Sequence, residues 1–463
     1  MSFDTGVFAG LALLLLGALQ ALPVRARGGV LAVAGVVFGA SWSPAFALVA
    51  LLTAGAVHGL TSRLAATPVE GRRGLLAAAV AVSVASVVVS RYATAIEGGW
   101  WSGLGAFAAG SSTWPVVAPL LATLFAMQCA AYTLDVARGR TGPARSFIDL
   151  VGVLLLVPTL VAGPMGRVGE LLPGVSQPRV LEPARVVPAL LLLVWAVAKK
   201  ELLADNLSPF VEPVLADPSA HNRWICAAAV QGVALHTYLV VSAWTDVARG
   251  LAGLSGIEVG REFERPWLAV SLSEFWRRSN ITVGRWFREQ VQAPLAELPG
   301  PARSPAARLL LGWSLAGLLF GGVGLGGAWP VVLWFTMQGL LLAAERAWHA
   351  RQGARPPRAG TEAAWIGMLR SVAVFHVVAL SLVLVRAPDL TRAFELLGAL
   401  VQPSVDAVEP SVAVFVVPAM VVAVIALSRL GGRWAALARG PCGLFVAALL
   451  AALVGLAGGL AGA

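Results

Sequence analysis

Read for hydrophobic and polar positions, the chain alternates long apolar runs with short polar gaps. Runs such as "VFAGLALLLLGALQALPV", "LLAAAVAVSVASVVVS" and "PCGLFVAALLAALVGLAGGLAGA" are long enough to cross roughly 30 Å of hydrocarbon as helices. Spans are expected near 7–23, 29–41, 45–62, 74–92, 114–134, 147–163, 186–203, 225–250, 307–325, 328–345, 364–385, 411–428 and 440–461. That is roughly 11–13 membrane segments. A backbone in lipid must satisfy its own hydrogen bonds, and nothing in the periodicity suggests a β-barrel. The expected fold class is an all-α polytopic membrane protein. The first run has no positive stretch before it and more spans follow at once, so it reads as a retained helix.

One stretch breaks the pattern. Between 251 and 306 no long apolar run exists, yet "SEFWRRSNITVGRW" at 273–286 packs Glu274, Arg277, Arg278, Asn280 and Arg285 together, with Arg288 just beyond. Read as one helix, Glu274 and Arg278 form an i,i+4 pair. Trp276, Asn280, Val283 and Phe287 then share one face, and Arg277, Ile281, Arg285 and Arg288 another. Such a segment lies at the interface with its arginines snorkelling, or dips inward where each charge needs a partner. A solvated amphipathic loop helix is the plainer alternative.

Composition sharpens the class. Of 463 residues, 58% are hydrophobic and 13% charged, against about 25% charged in soluble proteins. Mean hydropathy is +0.80. The net charge of +10 is not a nucleic-acid footprint. Its carriers sit in short loops: Arg25 and Arg27; Arg63, Arg72 and Arg73; Arg138, Arg140 and Arg145; Lys199 and Lys200; Arg346, Arg351, Arg355 and Arg358. That is the positive-inside bias. For the first five spans it places the N-terminus outside and these loops in the cytoplasm. The later half does not alternate cleanly, as expected if a segment enters the membrane and returns. Cys129, Cys226 and Cys442 form neither a disulfide framework nor a metal site and read as small buried hydrophobes. No internal repeat is visible. One membrane domain is expected over 1–463, with N-terminal helices to 134, a core over 135–345 and C-terminal helices over 346–463.

The reading "RPWLAVSLSEFWRRSNITVGRWFRE" at 265–289 resembles the pattern "RPY-x-A-x-S-x-x-EFWRRWH-I-(S/T)-L-S-x-W-(F/L)-RD". That is the signature of membrane-bound O-acyltransferases, in the bacterial branch of alginate O-acetylation and teichoic-acid D-alanylation proteins. Further matches run along the chain: "YTLDVARG" at 132–139, "LVAGPMGR" at 160–167, "HTYLVVSAWTDVARGLAGLSGI" at 236–257 and "VRAPDLTRAFELLGALV" at 385–401. The "SWSPAF" link between two early spans fits as well. The resemblance implies a helical bundle with re-entrant helices around a central tunnel. It also implies acyl transfer from an activated donor to a hydroxyl of a polymer, lipid or peptide.

A hydroxyl is a poor nucleophile near neutral pH and needs a general base within reach. In the family that base is a histidine in "GLWHGAxWxFxxWGxxHG". Here "GVGLGGAWPVVLWFTMQG" at 322–339 places Leu325 at that position and Gln338 at the later histidine. Neither accepts a proton. Asn280 keeps the polar position of the opening motif. Ser279 replaces a tryptophan, and Val240 an aspartate, while Asp246 remains. His236 stands where the family has glutamine, which makes it a candidate relocated base; a histidine satisfied by a neighbour such as Ser242 or Thr245 is the alternative. His349 and His221 fall in polar loops, and His376 in a span not placed near the chamber. Candidate substrate-binding groups are Arg277, Arg278, Trp276, Glu274, Arg288, Arg167, Trp244 and Asp246, with the arginines suited to an anionic donor or headgroup. Arginines at the membrane rim are the alternative.

Three readings stay open: an O-acyltransferase with an altered base, a catalytically inactive homologue acting as scaffold or regulatory subunit, and a transporter of a lipid-linked donor. The resemblance implies no bound cofactor and no metal, an acetyl-coenzyme A or acyl-carrier thioester as donor, and an envelope acceptor. It also implies the bilayer and a periplasmic acylation protein as partners, and the bacterial inner membrane as location.

Overall fold

The computed structural model describes residues 6–100, 114–160, 163–176, 183–297, 304–324, 328–353, 357 and 363–401. All regular elements among them are helical. They are α1 (Gly6–Ala21), α2 (Arg27–Trp42), α3 (Pro44–Ala66), α4 (Arg72–Trp100), α5 (Trp114–Ala137), α6 (Phe147–Leu154), α7 (Val157–Leu160), α8 (Val168–Ser176), α9 (Pro183–Val197), α10 (Asp205–Ala216), α11 (Arg223–Leu254), α12 (Leu272–Arg278), α13 (Ile281–Phe287), α14 (Ala293–Glu297), α15 (Pro305–Gly317), α16 (Trp329–Arg351), α17 (Ala364–Arg386) and α18 (Leu390–Ala399). Six stretches are long and apolar enough to cross a membrane: Val24–Trp42, Pro44–Ala66, Val69–Ser90, Arg223–Leu254, Pro305–Gly322 and Trp365–Arg386. The chain is an all-α polytopic membrane protein. The spans expected at 411–428 and 440–461 lie outside the described residues.

Two compact units make up the chain: Met1–Ala189, Trp244–Arg261 and Gly322–Gly327 in one, Leu190–Ala243, Glu262–Gly321 and Ala328–Ala463 in the other. In the first, α2 crosses α6 at glycines. A Cβ on Gly35 would fall 2.1 Å from the Leu155 carbonyl oxygen, and one on Gly152 3.0 Å from that of Gly28. Small residues let backbones approach closely where apolar burial alone gives no drive between helices in lipid. The "SWSPAF" link is a helix start: the Phe46 N–H donates to Ser43 Oγ at 3.0 Å with Pro44 in the first turn, a standard cap. Buried Arg27 donates to the carbonyls of Gly174 (3.2 Å) and Ser255, tying α2 to the end of α8 and to the turn after α11.

The 147–163 expectation needs correction. Instead of one span, the helix stops at Leu154 and a single turn, α7, follows. Leu150, Leu154, Leu155 and Leu156 are fully buried, so this run is apolar because protein surrounds it. The expected 186–203 span is part of a longer rod, α9 to α10, joined by a π-helical turn at Ala198–Ala204. Cys129 and Cys226 are buried free thiols, as small buried hydrophobes should be; Cys442 lies outside the described residues.

The second unit is built around aromatic rings. Trp267 contacts Tyr238 of α11 (ring centroids 5.0 Å), Phe375 of α17 (5.2 Å) and Phe275 of α12 (6.0 Å). Trp276 continues the chain of rings to Trp313 of α15 (4.7 Å) and Trp334 of α16 (5.6 Å). The edge-on contacts among these, all but Trp267–Phe275, contribute beyond the area buried.

Candidate functional site

The signature segment does not form the single helix expected from its spacing. It breaks at Ser279–Asn280, where Asn280 takes the left-handed conformation with φ 45° and ψ 51°. Asparagine tolerates that region better than most residues. The break separates α12 from α13, so the faces expected to run through 276, 280, 283 and 287 are not continuous.

Each short helix is anchored by a carboxylate. The start of α12 carries an S-x-x-E pattern: Ser271 Oγ accepts from the Glu274 N–H at 3.2 Å, and Glu274 Oε2 accepts from the Val270 N–H at 2.9 Å. This is close to a capping box. The other oxygen of buried Glu274 accepts from Arg278 Nη2 at 2.7 Å, so the expected i,i+4 pair is present. Glu345 of α16 accepts from the Leu272 N–H (2.8 Å), the Ser273 N–H (2.9 Å) and the Ser273 hydroxyl. At α13, buried Glu262 accepts from the Thr282 N–H at 3.0 Å and from the Thr282 hydroxyl. Two backbone bonds, Glu264 N–H to Arg278 O (2.8 Å) and Ile281 N–H to Glu262 O (3.1 Å), clamp the break from outside. Helix-start N–H groups have no partners of their own, and three acids meet that need here.

Gln338 is fully buried. Its Oε1 accepts from Trp276 Nε1 at 3.2 Å, and its Nε2 donates to Ser381 Oγ at 2.8 Å. Ser381 also accepts from Trp334 Nε1 at 3.1 Å and donates to the Val378 carbonyl at 2.7 Å. Both ends of the amide are thus engaged, one by Trp276 and the other by Ser381. Arg277 and Arg288 are exposed, and the Arg288 guanidinium folds back over Gly284, 3.2 Å from where a Cβ would stand. Asn280 is half-buried.

His236 lies on α11, half-buried, and its Nδ1 is buried with no hydrogen-bond partner among the described residues. The charges acting on it are two ion pairs, Arg386–Glu212 and Lys200–Asp205, the latter at 2.7 Å. Ser242, a neighbour expected as its partner, instead accepts from buried Lys199 Nζ at 3.1 Å. In the first unit, Arg167 pairs with Asp135 (3.6 Å) and Glu170 (3.9 Å). Asp246 pairs with Arg249 at 3.3 Å, and Trp244 is half-buried. Leu325 lies outside the described residues. No group of three or more possible metal ligands occurs among the described residues.

Sequence reasoning missed Glu345, Glu262 and Ser381. A lone acid in the apolar run "LLLAAERAW" was a legible signal, because an ionisable group in such a helix requires a partner.

No family model matches the chain. Individual relatives do. It is 27% identical to the probable alginate O-acetylase AlgI of Azotobacter vinelandii over 287 residues, covering 62% of this chain and 54% of that protein. It is 25% identical to the peptidoglycan O-acetyltransferase of Helicobacter pylori over 210 residues, 44% of this chain and 38% of that one. A probable long-chain-alcohol O-fatty-acyltransferase of Arabidopsis thaliana is 32% identical over 124 residues, 24% of this chain and 37% of that one. These relatives name different acceptors and share O-acyl transfer. This shared likeness supports membership of the membrane-bound O-acyltransferase family. It spans about half the length of the AlgI relatives it matches, 54% and 52% in two of them. As a membrane-bound O-acyltransferase relative, it keeps the segment 265–289 in a built, carboxylate-anchored form.

Proposed function

We propose that this chain transfers an acyl group, acetyl in the simplest case, to a hydroxyl of an envelope or exported glycan, lipid or peptide. The observation that carries the reading is the signature segment itself. A left-handed Asn280 stands at an elbow between two helices that Glu262, Glu274 and Glu345 hold fixed. Preorganised polar groups stabilise developing charge without reorganising at the moment of reaction. In this reading the Asn280 amide orients the donor carbonyl. The donor is a thioester such as acetyl-coenzyme A or an acyl carrier, with Arg277, Arg278 and Arg288 near its anionic part. His236, whose Nδ1 has no partner among the described residues, takes the hydroxyl proton. Gln338 positions Trp276 and does not react. The chain works in the bacterial inner membrane beside a periplasmic acylation partner.

The engagement of both ends of Gln338 and the leucine at 325 favour a second reading, a non-catalytic family member that scaffolds acylation by another protein. Mass spectrometry of envelope and secreted glycans, lipids and peptides from a deletion strain separates the two. The strain is complemented in turn with wild type, His236→Ala, Asn280→Ala and Leu325→His. Acyl transfer predicts an acyl mass that wild type restores in full and both alanine variants restore at most in part. Loss of a general base costs about 10² to 10⁴ in rate, so partial restoration by His236→Ala should be slow. Full restoration by both alanine variants would establish the scaffold. No change in any acyl mass would overturn acyl transfer and favour transport of a lipid-linked donor.

A further inference from the structure

The first unit carries a groove of about 790 Å³ that the acyl-transfer reading does not use. Its walls are α1 and α2, with the start of α6 closing one end. The two long helices touch at the opposite end, where Phe8 meets Phe38 with ring centroids 5.9 Å apart. Between those ends the lining is Leu11, Leu14, Ala18, Val30, Val33 and Val37. Leu14 and Val33 are 74% and 65% exposed, so the groove opens sideways from the helices. From Val30 to Val37 it follows seven helical steps, about 10 Å at 1.5 Å each.

The closed end is charged, and with both signs. Arg25 and Asp149 line it together with Ser146. Asp149 lies against α2 just beyond Arg25, because a Cβ on Gly28 would collide with its Oδ1. Its backbone is fixed: the Asp149 N–H donates to Ser146 Oγ at 3.3 Å in the first turn of α6, where the helix dipole favours an acid. An apolar trench ending in one guanidinium and one carboxylate is complementary to a particular ligand. The headgroup-proximal part of an acyl chain fits the trench, a phosphate fits the guanidinium, and a primary ammonium fits the carboxylate. A purely anionic headgroup would meet Asp149 with like charge, and a quaternary ammonium would give Asp149 no N–H donor.

We propose that this groove binds an aminophospholipid, with its acyl chain between α1 and α2, its phosphate on Arg25 and its ammonium on Asp149. Bound lipid fills the space where the two helices diverge and couples α1 to α2 and α6.

The test is native mass spectrometry of the full-length protein, delipidated in detergent and titrated with phosphatidylethanolamine, phosphatidylglycerol or phosphatidylcholine of identical acyl chains. Wild type should retain phosphatidylethanolamine in preference to both others. Arg25→Gln and Asp149→Asn should each reduce that preference about two- to fivefold, the scale of one solvent-exposed ion pair. Asp149→Asn should in addition raise phosphatidylglycerol retention. Val33→Trp, a change at an exposed position, should fill the trench and lower retention of all three lipids while leaving the thermal midpoint without lipid unchanged. Equal retention of the three lipids by wild type, or a phosphatidylglycerol preference that Asp149→Asn leaves unaltered, would overturn the assignment and leave ordinary boundary lipid or an anionic-lipid site. Retention unaffected by Val33→Trp would place the lipid elsewhere.

Discussion

Replacing Ser381 by alanine should destabilise the second unit more than replacing Gln338 by leucine, although the serine is the smaller loss. Ser381 Oγ accepts from both Gln338 Nε2 and Trp334 Nε1. Ser381→Ala therefore leaves two buried N–H donors without an acceptor. Each unsatisfied buried donor costs about 1–3 kcal/mol, which gives about 2–6 kcal/mol for the two. Gln338→Leu removes two hydrogen bonds but strands only Trp276 Nε1, because Ser381 still accepts from Trp334 and donates to Val378. Leucine is close to glutamine in volume, so no cavity adds to the loss, and the expected cost is about 1–2 kcal/mol. In the double variant the Gln338 amide is gone, so its stranded donor is gone as well. The double loss should fall short of the sum by about 1–2 kcal/mol, a coupling expected of residues in one network. Cys129 and Cys226 are 0% exposed, so a fluorogenic maleimide in a Cys442→Ser background reports unfolding. At about 2–4 °C per kcal/mol for a unit of this size, Ser381→Ala should lower the midpoint by at least several degrees. A loss no larger than that of Gln338→Leu, or strict additivity, would refute the network as drawn.

Further outcomes follow from other contacts. Glu345→Ala should lower stability by about 2 kcal/mol and Glu345→Gln by about 1, since the amide still accepts from one of the two N–H groups; equal losses in the same melts would refute partial capping by the amide. Gly339→Ala should destabilise more than Gly59→Ala, because a Cβ at 339 would stand 2.7 Å from Trp313 Cβ while one at 59 meets nothing within 4 Å; overpacking of this kind costs about 1–3 kcal/mol. The Ser219 hydroxyl, and then Arg392, draws the Asp217 carboxyl below the ordinary carboxylate range. Its contribution to stability is present above the unfolded value of about 3.9 and fades as pH falls through its own lower value. Asp217→Asn should therefore lower the midpoint at neutral pH, with the difference shrinking in acid; a difference independent of pH would count against the assignment.

The helices were legible because hydrocarbon demands them, and the long ones follow the apolar runs closely: α3, α11 and α17 sit within a few residues of the expected spans. The misreadings share a cause. The run at 147–163 is as apolar as a span, and periodicity does not distinguish burial in protein from burial in lipid. The break at Asn280 was hidden because no proline or glycine lies at it, Gly284 coming four residues later, whereas the helix is stopped by two tertiary clamps from Glu262 and Glu264, which lie near it in sequence but outside its pattern. Within the site, the Glu274–Arg278 pair was visible because it is local. Glu345 and Ser381 reach their partners across 73 and 43 residues, and no local rule reports such contacts.

That long reach bears on how the protein is made. Seven residues are too few for a helix to persist alone, so α12 depends on the carboxylate of Glu345, 72 residues after Ser273. At about 5–20 residues per second, the ribosome needs about 4–14 s to supply it. For that interval the start of α12 waits at the membrane without its carboxylate, although Glu262 and Glu264, already made, can clamp the elbow at Asn280. The nascent chain must be sheltered there by the insertion machinery, and slow codons between 273 and 345 would lengthen the exposure of the segment on which the proposed chemistry rests.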